Sequence, residues 1–131
     1  MDAATRPARR PKRILVVDDE ADIRVLIADI LEAAGHDVET AADGDEALFL
    51  LEQVQPDLIL LDLMMPKVDG REVIEAIRAN SANRHLPIVV VSAQFGLMRK
   101  CSHGVQRYLP KPWDTDVLLE TIEQELRQQP N

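Results

Sequence analysis

The chain has 131 residues, of which 46% are hydrophobic, so it fits one domain with apolar content for a packed core, and disorder over its whole length is excluded. Its formal net charge of −8 is unevenly spread: residues 1–13 hold five basic residues against Asp2, a net of +4, while the rest holds ten basic and 22 acidic residues, a net of −12, and an acidic body argues against nucleic acid as the main partner. The one cysteine, Cys101, excludes an internal disulfide and a zinc cluster, and neither a membrane-spanning apolar stretch nor a signal-peptide segment is present, so a soluble cytoplasmic protein is expected.

Residues 1–11 carry Arg6, Arg9, Arg10, Pro7 and Pro11 without apolar periodicity and read as a flexible basic tail. Ile14-Leu15-Val16-Val17 is a short continuous apolar run, the pattern of a strand buried on both faces. It stops at Asp18-Asp19. Glu20–Ala34 places Ile23, Leu26, Ile27, Ile30 and Leu31 at helical spacing, and Gly35 is a plausible helix stop. Asp37–Ala41 is a weaker strand around Val38. Asp45–Val54 reads as a helix with Ala47, Leu48 and Leu51 on one face. Pro56 precedes the strand Asp57–Leu61, and its apolar run stops at Asp62.

Gly70 begins a helical pattern through Val73, Ile74 and Ile77, and Asn80-Ser81-Ala82-Asn83 is loop-like. Pro87 opens the strand Ile88–Val91, which ends at the hydroxyl of Ser92. Gln94–Gln106 shows little periodicity. Arg107–Leu109 is a short strand, and Pro110, which lacks a donor, places it at a sheet edge. Asp114 suits the N-cap of a last helix with Val117, Leu118, Ile122 and Leu126 facing inward. Residues 129–131 form a tail.

Five strands alternating with about five helices imply a parallel α/β sheet with helices on both faces and right-handed crossovers. In such sheets ligands bind outside the carboxyl ends of the strands, where the strand order reverses. Asp18, Asp19, Asp62, Ser92 and Lys111 all fall at those ends. Adjacent carboxylates offer oxygen ligands suited to Mg2+, although Asp at such a place also caps helices. Asp62, beside hydrocarbon, needs a partner, and a carboxylate can attack phosphorus to form an acyl phosphate. Lys111, between Pro110 and Pro112, can set an ammonium against a phosphoryl oxygen, and Ser92 can donate to the same group. Taken singly, each has a plainer reading: a turn residue, a solvated lysine, a strand-end hydroxyl.

Together, in order and in register, these segments resemble the receiver domains of two-component response regulators, over about residues 12–128. The resemblance rests on Ile14-Leu15-Val16-Val17-Asp18-Asp19-Glu20, on Asp57-Leu58-Ile59-Leu60-Leu61-Asp62-Leu63-Met64-Met65-Pro66 with Asp69-Gly70, on Pro87-Ile88-Val89-Val90-Val91-Ser92-Ala93, and on Tyr108-Leu109-Pro110-Lys111-Pro112. It implies a flavodoxin-like sheet in the order 2-1-3-4-5, with Asp62 as phosphoacceptor. It also implies that Mg2+ is held by Asp18, Asp19, Asp62 and the backbone carbonyl of Met64, with Lys111 and Ser92 on the phosphoryl group. Ser92 and Tyr108 would then be a switch pair, and the Lys111–Pro112 bond would be cis. The implied partners are a histidine kinase or phosphotransfer protein, and a downstream protein or an output domain outside this sequence. A phosphorylation-dependent dimer is compatible with this, and neither nucleic acid nor membrane is contacted directly.

The sequence departs from that pattern between Ser92 and Lys111, where a short segment replaces the usual alanine-rich fourth helix and is expected to be mobile without phosphate. Arg107 stands where small residues are common and either alters the gating of Tyr108 or reaches solvent. Met64, two residues past the acceptor, either hinders water attack on an acyl phosphate or only packs on the loop. His36, His85 and His103 show no ligand spacing and read as surface or loop residues, and Cys101 as having no redox role. Two other readings compete. One is a magnesium-dependent phosphatase with an aspartyl nucleophile, disfavoured because Met64 stands where such enzymes carry a second carboxylate. The other is a binding module of the same fold without phosphorylation, disfavoured by the complete acidic set with Lys111.

Overall fold

A computed structural model describes residues 12–62, 70–92 and 107–127. The elements in chain order are β1 (Arg13–Val17), α1 (Ala21–Ala33), β2 (Asp37–Ala41), α2 (Gly44–Val54), β3 (Leu58–Asp62), α3 (Gly70–Ala79), a 3-10 turn (Ser81–Asn83), β4 (Ile88–Ser92), β5 (Arg107–Pro110) and α4 (Thr115–Arg127). All five strands are parallel, in the order β2-β1-β3-β4-β5. This is the doubly wound order expected from the resemblance, with Pro110 on the outer strand, where a missing donor costs least. Expectations for residues 1–11, for Met64 and Asp69, for the 94–106 segment with Cys101 and His103, and for the tail from 129 lie outside the described residues.

The apolar runs are continuous because both faces of each central strand are covered. Leu15, Val17, Ile59, Leu61, Ile88 and Val90 face α2 and α3 through Ala47, Leu51, Val73, Ile74 and Ile77. The alternate residues Ile14, Val16, Leu58, Leu60, Val89 and Val91 face α1 and α4 through Ile27, Leu31, Leu118, Ile122 and Leu126. Each fully buried Leu or Ile contributes about 1.5–3 kcal/mol of transfer free energy. Ile122 sits in the second layer without solvent exposure. Its truncation in Ile122→Ala is expected to cost about 2–5 kcal/mol, read as a lower urea midpoint at unchanged slope.

Local chemistry sets the boundaries. Asp43 caps α2: its Oδ1 accepts the Glu46 amide at 2.9 Å, and Glu46 Oε1 accepts the Ala42 amide at 2.7 Å, a reciprocal cap at the helix start. Gly35 ends the α1 segment at φ +97°, and Gln55 closes α2 at φ 51°, a left-handed position that its sequence does not announce. Asp114 caps α4 by accepting the Asp116 amide at 2.8 Å. The stretch at Asn80 is more ordered than a loop: Asn80 Oδ1 accepts the Ala82 amide at 3.0 Å and starts the 3-10 turn.

Three expectations are corrected. β3 runs one residue later than Asp57–Leu61: Asp57, whose carboxylate accepts the Arg13 amide at 2.8 Å and whose amide donates to the Arg13 carbonyl at 2.7 Å, lies just before it, and Asp62 joins the ladder opposite Val91. Val117 is 46% exposed, and the inward stripe of α4 instead includes Thr121 and Glu125. The buried positions Leu118, Thr121, Ile122, Glu125 and Leu126 follow one helical stripe, and Val117 falls just outside it. Of the two readings of His36, surface or loop, the loop holds and the surface does not. Its side chain is 8% exposed and its Nε2 lies 2.7 Å from Glu123 Oε2, tying the entry of β2 to α4.

Candidate cation and phosphoryl site

The strand order reverses at β1, with β2 on one side and β3 on the other. The crevice this creates lies at the carboxyl ends of β1 and β3. Val17 pairs with Leu61, so the next residues, Asp18 and Asp62, stand side by side. Asp18 is 2% exposed and Asp62 is 4% exposed; Asp19 is exposed. Each of the three offers a carboxylate oxygen within 4.8 Å of the others.

Asp18 is held at every polar atom. Its amide donates to the Ala41 carbonyl at 3.1 Å, across to β2. Its Oδ1 accepts the Glu20 amide at 2.9 Å, and its Oδ2 lies 3.6 Å from Lys111 Nζ. Its carbonyl oxygen accepts Arg24 Nη1 at 2.7 Å.

Lys111 follows β5 and reaches back over the crevice. Its Nζ lies 3.4 Å from Asp62 Oδ2 and 4.0 Å from Glu20 Oε1. Burial pushes this ammonium down, but the charges of Asp62 and Asp18, the hydrogen bond to Asp62 and the charge of Glu20 outweigh it, and its pKa is raised. The Lys111–Pro112 bond is cis, as the resemblance implies. Three carboxylates against one ammonium leave an excess of negative charge in a partly desolvated crevice. The donors are all oxygen, which suits a hard divalent cation such as Mg2+ rather than a soft metal.

Ser92 ends β4, paired with Pro110; the role expected of its hydroxyl lies outside the described side chains. Tyr108, in β5, is exposed. Arg107 reaches the surface, as one of its two readings has it, and is also tied there to α4. Its Nη1 donates to Gln124 Oε1 at 3.0 Å and lies 3.6 Å from Glu125 Oε2, linking β5 to α4. Sequence reasoning missed Glu20 and Arg24 as parts of the site. The place of Glu20, next to Asp18-Asp19 and just before α1, is a signal that points to it, whereas Arg24, in the first turn of α1, leans back over the preceding loop to bond a backbone carbonyl and gives no such signal.

A doubly wound sheet with an acidic crevice at its reversal point and a lysine across it defines the class. The family description "response regulator receiver domain" matches residues 14–123. The chain belongs to that family, the receivers of two-component signalling. Among curated relatives, the DNA-binding dual master transcriptional regulator RpaA of Synechocystis is 39% identical over 118 residues, 88% of this chain and 49% of RpaA. Protein PilG of Pseudomonas aeruginosa is 35% identical over 113 residues, 84% of each chain. This chain spans about half the length of RpaA and of several further curated relatives. Among solved structures, the response regulator TrrA of Thermotoga maritima in complex with Mg(2+)-BeF superposes with a TM-score of 0.79 at 34% identity, covering 87% of this chain and 98% of that one. No helix among the described residues is long and apolar enough to cross a membrane.

Proposed function

We propose that this chain accepts a phosphoryl group on Asp62 from a histidine kinase or phosphotransfer protein and passes the signal on by a change of conformation. One observation carries the reading: the three carboxylates of Asp18, Asp19 and Asp62 converge within 4.8 Å, with Lys111 Nζ 3.4 Å from Asp62. A carboxylate oxygen of Asp62 attacks phosphorus, the bond from phosphorus to the donor nitrogen breaks, and its electron pair leaves with the imidazole. Lys111 meets the incoming phosphoryl oxygens as a point charge and lowers the cost of bringing anion to anion. Asp18, Asp19, Asp62 and the Met64 carbonyl would hold Mg2+, whose role is to screen the charge between carboxylate and phosphoryl group. The Mg(2+)-BeF complex of TrrA supports this choice of ion.

Ser92 and Tyr108 are the proposed switch pair: the hydroxyl of Ser92 engages the phosphoryl group and Tyr108 turns inward behind it. The receiver unit is placed at residues 12–128, flanked by the basic tail and a short C-terminal tail. It acts in the cytoplasm as a signalling module rather than a turnover enzyme. The downstream partner is a protein surface, a second copy of this chain, or an output domain such as those in the longer relatives.

Incubation with Mg2+ and acetyl phosphate, followed by intact mass, tests the reading. The expected result is one phosphoryl adduct that is absent in Asp62→Asn and absent when EDTA replaces Mg2+. Multiple turnover of phosphate monoesters would instead make the chain a phosphatase. Absence of both adduct and Mg2+ affinity would leave a binding module of the same fold.

A further inference from the structure

We infer that Arg24 is a positioning residue of the cation site: by pinning the Asp18 carbonyl it fixes the peptide from which both metal-facing aspartates project. The inference rests on the reading of the crevice as a Mg2+ site. Arg24 lies in the first turn of α1, where its own amide donates to the Glu20 carbonyl at 2.9 Å. From there a helical side chain leans toward the amino end, and Nη1 reaches the Asp18 carbonyl at 2.7 Å. A peptide unit is planar, so holding its oxygen fixes the direction in which the next Cα leaves. That next residue is Asp19. One hydrogen bond therefore orients both the Asp18 and the Asp19 ends of the ligand set.

The remaining contacts of Asp18 depend on the same peptide. Its Oδ1 accepts the Glu20 amide at 2.9 Å, which closes a two-residue turn over the Asp18–Asp19 unit. If the carbonyl swung free, this turn would loosen, and the buried carboxylate would lose one of the bonds that aim its other oxygen into the crevice. Outer-shell partners of this kind commonly hold metal ligands in place. A guanidinium is suited to the task because it stays charged and its donors point in fixed directions.

The charge of Arg24 gives the inference a test of sign. On Coulomb grounds alone, a cation beside the crevice repels Mg2+, so removing it should tighten binding. On the positioning account, removing it should weaken binding. Titration calorimetry of Mg2+ into Arg24→Met is expected to show about tenfold weaker affinity than the wild type, the low end for outer-shell partners, with Arg24→Lys in between. Affinity that is unchanged or tighter in a folded Arg24→Met overturns the inference. Should that variant fail to fold in EDTA, Arg24→Gln removes the same charge while keeping a polar, uncharged head, and the same signs apply.

A second readout needs no metal. Amide hydrogen exchange at Glu20 in EDTA is expected to accelerate in Arg24→Met, while the amides of Ile59 and Val89 in the sheet interior keep their protection. Unchanged exchange at Glu20 overturns the inference. If the wild type itself binds no Mg2+, the proposed function fails, and the Glu20 amide still decides the role of Arg24.

Discussion

Lys111→Met is expected to slow adduct formation at Asp62 from acetyl phosphate by about ten- to a hundredfold while tightening Mg2+ binding. The two effects have opposite signs because the lysine does two things. It faces Asp62 at 3.4 Å and Asp18 at 3.6 Å, so it occupies the negative field that a metal would otherwise use. Its loss removes a like charge from the neighbourhood of the incoming cation. It also removes the ammonium that meets the phosphoryl oxygens, and a hydrogen bond to a charged group is worth about 1.5–3 kcal/mol, hence the range of rates. Single-turnover kinetics by intact mass and calorimetry with Mg2+ check the two halves separately. A variant that slowed adduct formation by weakening Mg2+ binding would contradict this division of labour. The same residue sets an alkaline limit. A lysine whose pKa is raised in the folded state contributes stability that is fully present below its unfolded value, about 10.4, and is lost as pH rises through the higher folded value. Thermal melts in EDTA are therefore expected to show the wild type losing stability above that range through this pair, and Lys111→Met lacking that part of the loss.

The parts of the site that could be read from the sequence are those where an apolar run meets a polar residue. Ile14–Val17 and Leu58–Leu61 are buried on both faces, so their length marks them as central strands, and the first polar residues after them, Asp18 and Asp62, must lie at a sheet end. The parallel arrangement then brings those ends together. Lys111 could be found because two prolines fix its surroundings, although its reach across β5 to Asp62 depends on the resemblance. Arg24 could not be found this way. It bonds a backbone carbonyl, and a carbonyl leaves no trace in the sequence. His36 was equally hidden, since its partner Glu123 is 87 residues away and joins it only once α1 and α4 share a face of the sheet. The last helix shows the limit of periodicity: Val117 and Leu118 are both apolar, yet only one phase can face the sheet, and the true stripe takes in Thr121 and the carboxylate of Glu125. Glu125 is tolerated there because Arg107 stands 3.6 Å away. A hydropathy pattern cannot anticipate such a pair, because each partner alone scores as surface.

Mg2+ is expected to stabilise the fold, and Asp19→Asn to remove most of that gain while leaving the metal-free protein as stable as before or slightly more so. Three carboxylates within 4.8 Å repel one another, and Lys111 offsets only part of this. Asp19 is the exposed member of the set. In the described structure no hydrogen bond from its side chain holds the β1–α1 turn; that work falls to Asp18 with Glu20 and Arg24. Neutralising Asp19 therefore relieves repulsion at little structural cost, while it deprives a divalent ion of a charged oxygen. At free Mg2+ tenfold above its dissociation constant, binding to the folded state alone adds about 1.4 kcal/mol, or roughly 3–8 °C for a domain of this size. Differential scanning calorimetry in EDTA and at that Mg2+ concentration checks both arms. A gain in Asp19→Asn equal to that of the wild type would take Asp19 out of the ligand set. A metal-free variant several degrees less stable would show that Asp19 holds the turn as well, and the separation between the residue that gathers the ion and the residues that build its platform would fail.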